Sequence, residues 1–306
     1  MATPPTGLTT FVDLSISTRV TAAWLNAVDG LLFGTAVNVM SSVYGAVGDG
    51  STNDTVAVQA AFDAGVEHVI FPAGYDFSIG EITVPPSVTR ITMYGATIRH
   101  RAVGSAFGLF SKLTATNLGP LLVEGGTIIG VAADALAVAD SGFYFDTATT
   151  DIGDTDHLVF RDIHFKTMQG YPIRAGYAKS ITIDNCSFEN CSIGPNIYTS
   201  RPVVVRNCNW SGQQYTGTSV TPALALNANP EPTDDVTDDQ QREIHINGCS
   251  FRDIKYHQAI LLHGAVFGDI GGNTFETCSA PISVHDNGTV GSYIRDNLHS
   301  YILLYV

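Results

Sequence analysis

Ionic side chains are scarce in this sequence. Asp, Glu, Lys and Arg together make up 14% of its 306 residues, against roughly 25% in an ordinary soluble domain. Cations are scarcer still, 15 Lys+Arg against 29 Asp+Glu, which leaves a formal charge of −14. Without clustered Lys and Arg the chain cannot neutralise phosphates, so nucleic acid is excluded as a partner. No apolar run approaches the roughly 18 residues of a membrane-spanning helix, so membrane insertion is excluded as well. Residues 1–10 lack the cationic and apolar regions of a secretory signal. The five cysteines, all between Cys186 and Cys278, contain no C-x-x-C pair. Neither a disulfide framework nor a zinc site fits that spacing, and no metal or cofactor is implied.

What the sequence does hold is 44% hydrophobic residues and 30 glycines. That much Val, Ile, Leu and Phe excludes disorder, and the length supports a sizeable core in one or two domains. With so few ions, the surface must be covered largely by Ser, Thr, Asn and Gln.

A phrase recurs from about residue 157: alternating β-branched or apolar residues, then Asn, Asp or Gly, a small residue, and an aromatic two places on. It runs from Leu158 to Phe165, Ile181 to Phe188, Val203 to Trp210 and Ile244 to Phe251, more weakly from Ile270 to Phe275, and begins again at Ile294. The anchors at 165, 188, 210, 251 and 275 lie 23, 22, 41 and 24 residues apart, so one interval carries an insertion of about 18. Short strands broken at a fixed place by residues that tolerate left-handed backbone angles describe strand–turn–strand units. A unit this short cannot bury its apolar side alone, so the units must stack, about 4.8 Å apart. Stacking makes columns: Phe165, Phe188, Trp210, Phe251 and Phe275 in one, and Cys186, Cys208 and Cys249 in another. Cys191 and Cys278 fall beside Met168 and Ile254. The cysteines then read as small buried hydrophobes. The fold class that follows is all-β, a right-handed single-stranded parallel β-helix.

The first part of the chain carries a second signal. Tyr44-Gly45-Ala46-Val47-Gly48-Asp49-Gly50 leads to Asn53-Asp54-Thr55, where Asn53 or Asp54 can cap a helix to Ala64 that Gly65 ends. Phe71-Pro72-Ala73-Gly74-Tyr75 follows. This run resembles the opening signature of the pectate-lyase-like β-helix superfamily, a "YGA-x-GDG-x-x-DDT" phrase before a capping helix and a "FPAG-x-Y" first strand. Asn53 stands where that pattern has the first Asp of its pair. The resemblance implies that Asp49 and Asp54 serve the cap rather than catalysis, and it is common in phage tailspikes and tail-fibre depolymerases. Residues 10–29, with Trp24 and Leu25 on one helical face, resemble the leader that precedes this signature in phage tail proteins. The organisation expected is an attachment segment over 1–40, a linker and capping helix over 41–67, and a β-helix over 68–306. Those 239 residues make some ten coils and a rod of roughly 50 Å. The resemblance further implies a homotrimer, a virion location, and other tail proteins as partners of the N-terminal segment.

Candidate chemistry is thin. Glycosidic hydrolysis needs two carboxylates about 5.5 Å or 6.5–9.5 Å apart, and a lyase needs a base with a charge neutraliser. Glu276, expected to stack beside Arg252, and the adjacent Asp253 are one candidate set. Alignment of Ile260 with Ile282 makes another, placing His263 and His285 in one ladder with Asp286 beside it. Tyr198 and Tyr215 can stack on sugar rings, whereas Trp210 belongs to the interior column. Asp234 and Asp235, in the insertion, can form a groove wall, since insertions on one face often build the binding surface. The sequence therefore supports a phage tail protein that contacts a bacterial surface polysaccharide, with cleavage left open. The alternatives are a non-enzymatic tail component and, less favoured without a secretion signal, a free polysaccharide lyase or glycosidase.

Overall fold

The computed structural model describes residues 36–101, 108–112, 119–131, 140–145, 155–198, 200, 202–212, 222–227, 241–254, 258–263, 265–285 and 293–300. The chain divides into two units, Met1–Ala36 and Val37–Val306. The second is a parallel β-helix. Its strands form three parallel sheets of ten, ten and eight. Sheet A runs from Ala36–Asn38 to Tyr293–Arg295, sheet B from Asp49–Asn53 to Leu298–Ser300, and sheet C from Ile82–Val84 to Ala280–His285. Each full coil visits A, B and C in turn, with the right-handed sense that parallel crossovers take.

The repeat is the geometry of one corner. From Leu121–Glu124 onward, two residues separate each strand of A from its successor in B. Asp162, Asn185, Asn207, Gly248, Gly272 and Asp296 stand first in these corners, all at φ between 52° and 66°. Their short side chains or missing Cβ make that left-handed bend cheap. The second corner residue turns inward: Ile163, Cys186, Cys208 and Cys249 are 1–2% exposed, and Asn273 continues the column at 1%. All five cysteines are free and buried. Cys186 Sγ donates to the Phe160 carbonyl one coil back at 3.6 Å, and Cys208 Sγ to that of Ile183 at 3.6 Å. Asn273 makes the same connection more strongly, its Nδ2 donating to the Ile246 carbonyl at 2.9 Å while its Oδ1 accepts from Cys249 N.

The aromatic column is borne out. Phe165, Phe188, Trp210, Phe251 and Phe275 pair in register through sheet B. Their rings stack at centroid spacings of 5.2, 4.7, 4.5 and 5.1 Å with interplanar angles no greater than 16°. Each fully buried ring contributes roughly 2–3 kcal/mol of transfer free energy.

One boundary differs from the expectation. The strands Ala36–Asn38 and Asp49–Asn53 already belong to sheets A and B, so the first coil starts ahead of residue 68. Its third side is a helix, α1 (Thr55–Phe62), which lies against Ile82–Val84 where a further strand of C would sit. Asp54 stands at the N-cap but makes no side-chain capping bond. Its carboxylate instead accepts from Val47 N at 2.7 Å and Gly48 N at 3.1 Å, drawing the glycine-rich loop onto the end of the coil. Asn53 Oδ1 is the side chain that meets the helix start, accepting from Thr55 N at 3.2 Å.

Candidate functional site

After the first coil, the A–B corner stays short while the connections bordering sheet C do not. Residues 101–109, 130–142 and 212–223 lead into C, and 113–120, 146–154 and 228–240 lead out of it. The single insertion expected between Trp210 and Phe251 is thus two segments, one on each side of the strand Leu224–Asn227. In stacked-coil folds, extra chain beside one face often builds the binding surface.

The middle of sheet C carries an aromatic cluster. In Phe143–Phe145 the two phenylalanines point inward and are fully buried, which turns Tyr144 out, half-buried. Tyr144 pairs in register with Arg174, and Arg174 with Asn196. Tyr198 is two residues along the same strand face. The Arg174 guanidinium carbon lies 5.0 Å from the Tyr144 ring centroid, 5.2 Å from that of Tyr171 and 5.1 Å from that of Tyr198. Cation–π contacts at this range hold rings and guanidinium together by about 0.5–1 kcal/mol each where partly exposed. Asn196 Nδ2 donates to the Tyr198 hydroxyl at 3.0 Å.

Tyr171 is held from below by a polar cluster. Gly130 has no side chain, and a Cβ there would come within 2.6 Å of Asp140 Oδ2. Asp140 fills that space. It accepts from Gln169 N at 2.6 Å, from Val131 N at 3.1 Å and from His100 Nδ1 at 2.8 Å, and both side chains of the His–Asp pair are fully buried. The neighbouring Ser141 Oγ accepts from Tyr171 N at 3.0 Å, and Gly142 N donates to the Tyr171 carbonyl at 2.9 Å. The segment 168–171 is thus tied to the coil below it by backbone and side chain together. His100 Nε2 has no hydrogen-bond partner among the described residues.

Of the residues singled out in the sequence that are described, only Tyr198 enters this cluster. Asp253 takes the left-handed position of the turn after sheet B, φ 58°, equivalent to Asn190 and Gly212. Glu276 accepts from Arg252 Nε at 3.1 Å in an ion pair whose side chains are 57% and 47% exposed, the surface pairing that the stacking implied. His263 and His285 do stand in register in sheet C, while Asp286 lies outside the described residues, as do Tyr215, Asp234, Asp235, Trp24 and Leu25. Asp49 accepts from the backbone and hydroxyls of Ser51 and Thr52, bonds from Thr52 above all that hold its carboxyl far below the usual carboxylate range. These bonds fold the loop between Asp49 and Thr52 on itself. Trp210 is interior, 2% exposed, and unavailable for stacking on a ligand.

A profile described as a right-handed beta helix region matches residues 124–298. A search of curated proteins finds no match. Among solved structures, PfbA, a surface adhesin of Streptococcus pneumoniae, aligns with a TM-score of 0.54 at 17% identity, over 79% of this chain and 62% of its own. ORF18 of Geobacillus virus E2 aligns with a TM-score of 0.52 at 14% identity, over 92% of this chain and 63% of its own. The chain thus spans less than two thirds of either, and at these identities the likeness is one of fold.

Proposed function

The chain belongs to the right-handed β-helix family, and from that premise we propose that it is a carbohydrate-contacting component of a phage tail, binding a bacterial surface polysaccharide through sheet C. The observation that carries this reading is the group of Tyr144, Tyr171 and Tyr198 around Arg174, on the face that the long connections border. A pyranose has an apolar C–H face and a hydroxyl rim. Tyrosines match it with an apolar ring and a polar tip, at little cost in side-chain entropy. Parallel strands repeat such groups at about 4.8 Å, so a flat face suits an extended polymer.

The opening signature and leader, together with the fold shared with a viral protein, support a place in the virion. Attachment through residues 1–40 and assembly as a trimer belong to the same proposal. Binding without cleavage is the form we favour. Among the described outward carboxylates, Asp184 and Asp269 on sheet A and Glu189 and Glu276 on sheet B each sit within 3.1 Å of a cation in a neighbouring coil, an arrangement that neutralises those four.

The test is retention of the protein on immobilised surface polysaccharide purified from host strains, with the soluble fraction assayed for released oligosaccharides. Tyr144→Ala and Tyr198→Ala are expected to weaken retention about tenfold each while leaving the circular dichroism unchanged. Full retention by the double variant would place the contact elsewhere on the coil, and released oligosaccharide would overturn the non-enzymatic form.

A further inference from the structure

Granting that sheet C is a carbohydrate surface, we infer that the glycan it takes is uncharged, recognised by ring stacking and hydroxyl contacts rather than by ion pairing. The inference rests on the reading above and adds the chemical class of the ligand.

Three observations point the same way. First, the described side chains flanking the cluster along its ladder, Ser111 and Asn196, are neutral and buried, Ser111 Oγ donating to Glu81 Oε1 at 2.8 Å and Asn196 Nδ2 to the Tyr198 hydroxyl at 3.0 Å. They bring no cation to a carboxylate or phosphate. Second, the cation at the centre already has a task inside the cluster. Arg174 lies 5.0–5.2 Å from three ring centroids, so its planar faces serve to fix the tyrosines. A guanidinium held against several rings orients them as a rigid surface, which lowers the ordering cost of binding. Third, the chain as a whole is acidic, with a net charge of −14. A polyanion would approach a molecule of the same net sign, a repulsion that salt screens beyond about 8 Å at physiological strength. A neutral polymer meets none of this.

The experiment is binding to a panel of purified bacterial polysaccharides, some uncharged and some bearing carboxylate or phosphate, at about 0.05 M and about 0.5 M NaCl. The expected result is retention of uncharged members with affinity changing less than about twofold between the two salts, and about tenfold loss in Tyr144→Ala. Arg174→Gln is expected to weaken binding by loosening the rings while leaving the preference for uncharged glycans as it was. Retention of acidic members with affinity falling steeply at high salt, abolished by Arg174→Gln, would overturn the inference and leave sheet C as a carbohydrate surface. Binding to no member at either salt would instead overturn the carbohydrate reading itself, so the two failures are distinct.

Discussion

A titrating side chain on this coil is tuned mostly by its counterpart one coil away. Arg206 Nη2 bonds Asp184 at 2.8 Å, and this bond above all lowers the Asp184 pKa; Lys166 does the same for Glu189 from 3.0 Å. Both groups therefore bind protons less readily folded than unfolded. The stability they contribute is complete above their ordinary values of 3.8 and 4.5 and is lost as pH falls through the lower folded ones. His68 acts at higher pH. Burial foremost, and then the charge of Arg90, lower its pKa from 6.5, so the folded chain prefers the neutral ring. The unfolded chain takes up that proton first, and stability declines as pH drops below 6.5. Thermal melts are expected to show a midpoint that is level above about pH 7, falls gently toward pH 5 and falls steeply below about pH 4. His68→Gln removes the gentle phase alone; a wild-type midpoint unchanged between pH 7 and 5 contradicts the role given to His68. The cysteines stand apart from this titration, since burial pushes Cys191 up to about 12 and Cys278 to about 11. They act as small apolar groups that also donate weakly to a carbonyl.

Among the elements, α1 does the least familiar work. The first strand of sheet C, Ile82–Val84, would end the sheet with an unpaired edge, and such edges recruit other strands. Gln59 closes it by imitation. Its Nε2 donates to the Thr83 carbonyl at 3.0 Å and its Oε1 accepts from Thr83 N at 2.8 Å, as a backbone amide of another strand would. One turn earlier, Thr55 Oγ1 accepts from Gly80 N at 2.7 Å. Beside them on the same side of the helix α1 buries Val58 and Phe62, with Ala61 next to these, and the Phe62 ring lies 5.9 Å from that of Phe110. Gln59→Ala is expected to cost about 1–3 kcal/mol, because it leaves two backbone groups without partners, and to lower the denaturant midpoint; Gln59→Glu, which keeps an acceptor and loses the donor, is expected to fall between. Equal midpoints for all three proteins would remove this role. The coil was legible in the sequence because Asn185, Cys186 and Phe188 recur at a corner of constant length, and the helix because Asn53-Asp54 and Gly65 bracket it. The tyrosine cluster was not. Tyr144, Tyr171 and Arg174 lie on the side of the coil where connection lengths vary, so no fixed spacing relates them. The trace they leave is local: Phe143-Tyr144-Phe145 alternates as a strand, and an outward aromatic between two core rings is a signal that can be read without a repeat. Asp140 left none, since only the gap at Gly130 gives it a place.

The whole molecule distributes charge along its axis in a pattern that composition alone conceals. Scarcity of ions suggests a surface of Ser, Thr and Asn, and on sheet A that is not what stands outward. The register places Glu124, Arg161, Asp184 and Arg206 in line, alternating in sign from coil to coil. On sheet B, Lys166 and Glu189, and later Arg252 and Glu276, do likewise. Exposed pairs of this kind add little apiece, but reversing one member sets three like charges in a row. Asp184→Lys is therefore expected to lower the melting temperature by several degrees at low salt and to recover part of the loss near 0.5 M NaCl, where the screening length shrinks to about 4 Å. A loss independent of salt would mean that the Asp184 hydrogen bonds to Arg206 and Asn207 matter more than its sign. The alternation also bears on how such a chain finds its fold. Coils built on one phrase are nearly interchangeable to a hydrophobic core: the ring of Phe188 would stack on Phe251 almost as well as on Trp210. A chain that skipped a coil would keep its aromatic column and its corners. Skipping the coil of Arg161 would set Glu124 against Asp184, and skipping that of Asp184 would set Arg161 against Arg206, each a like-charge contact at the junction in place of an attraction. The few ions this sequence has are placed where they can count coils.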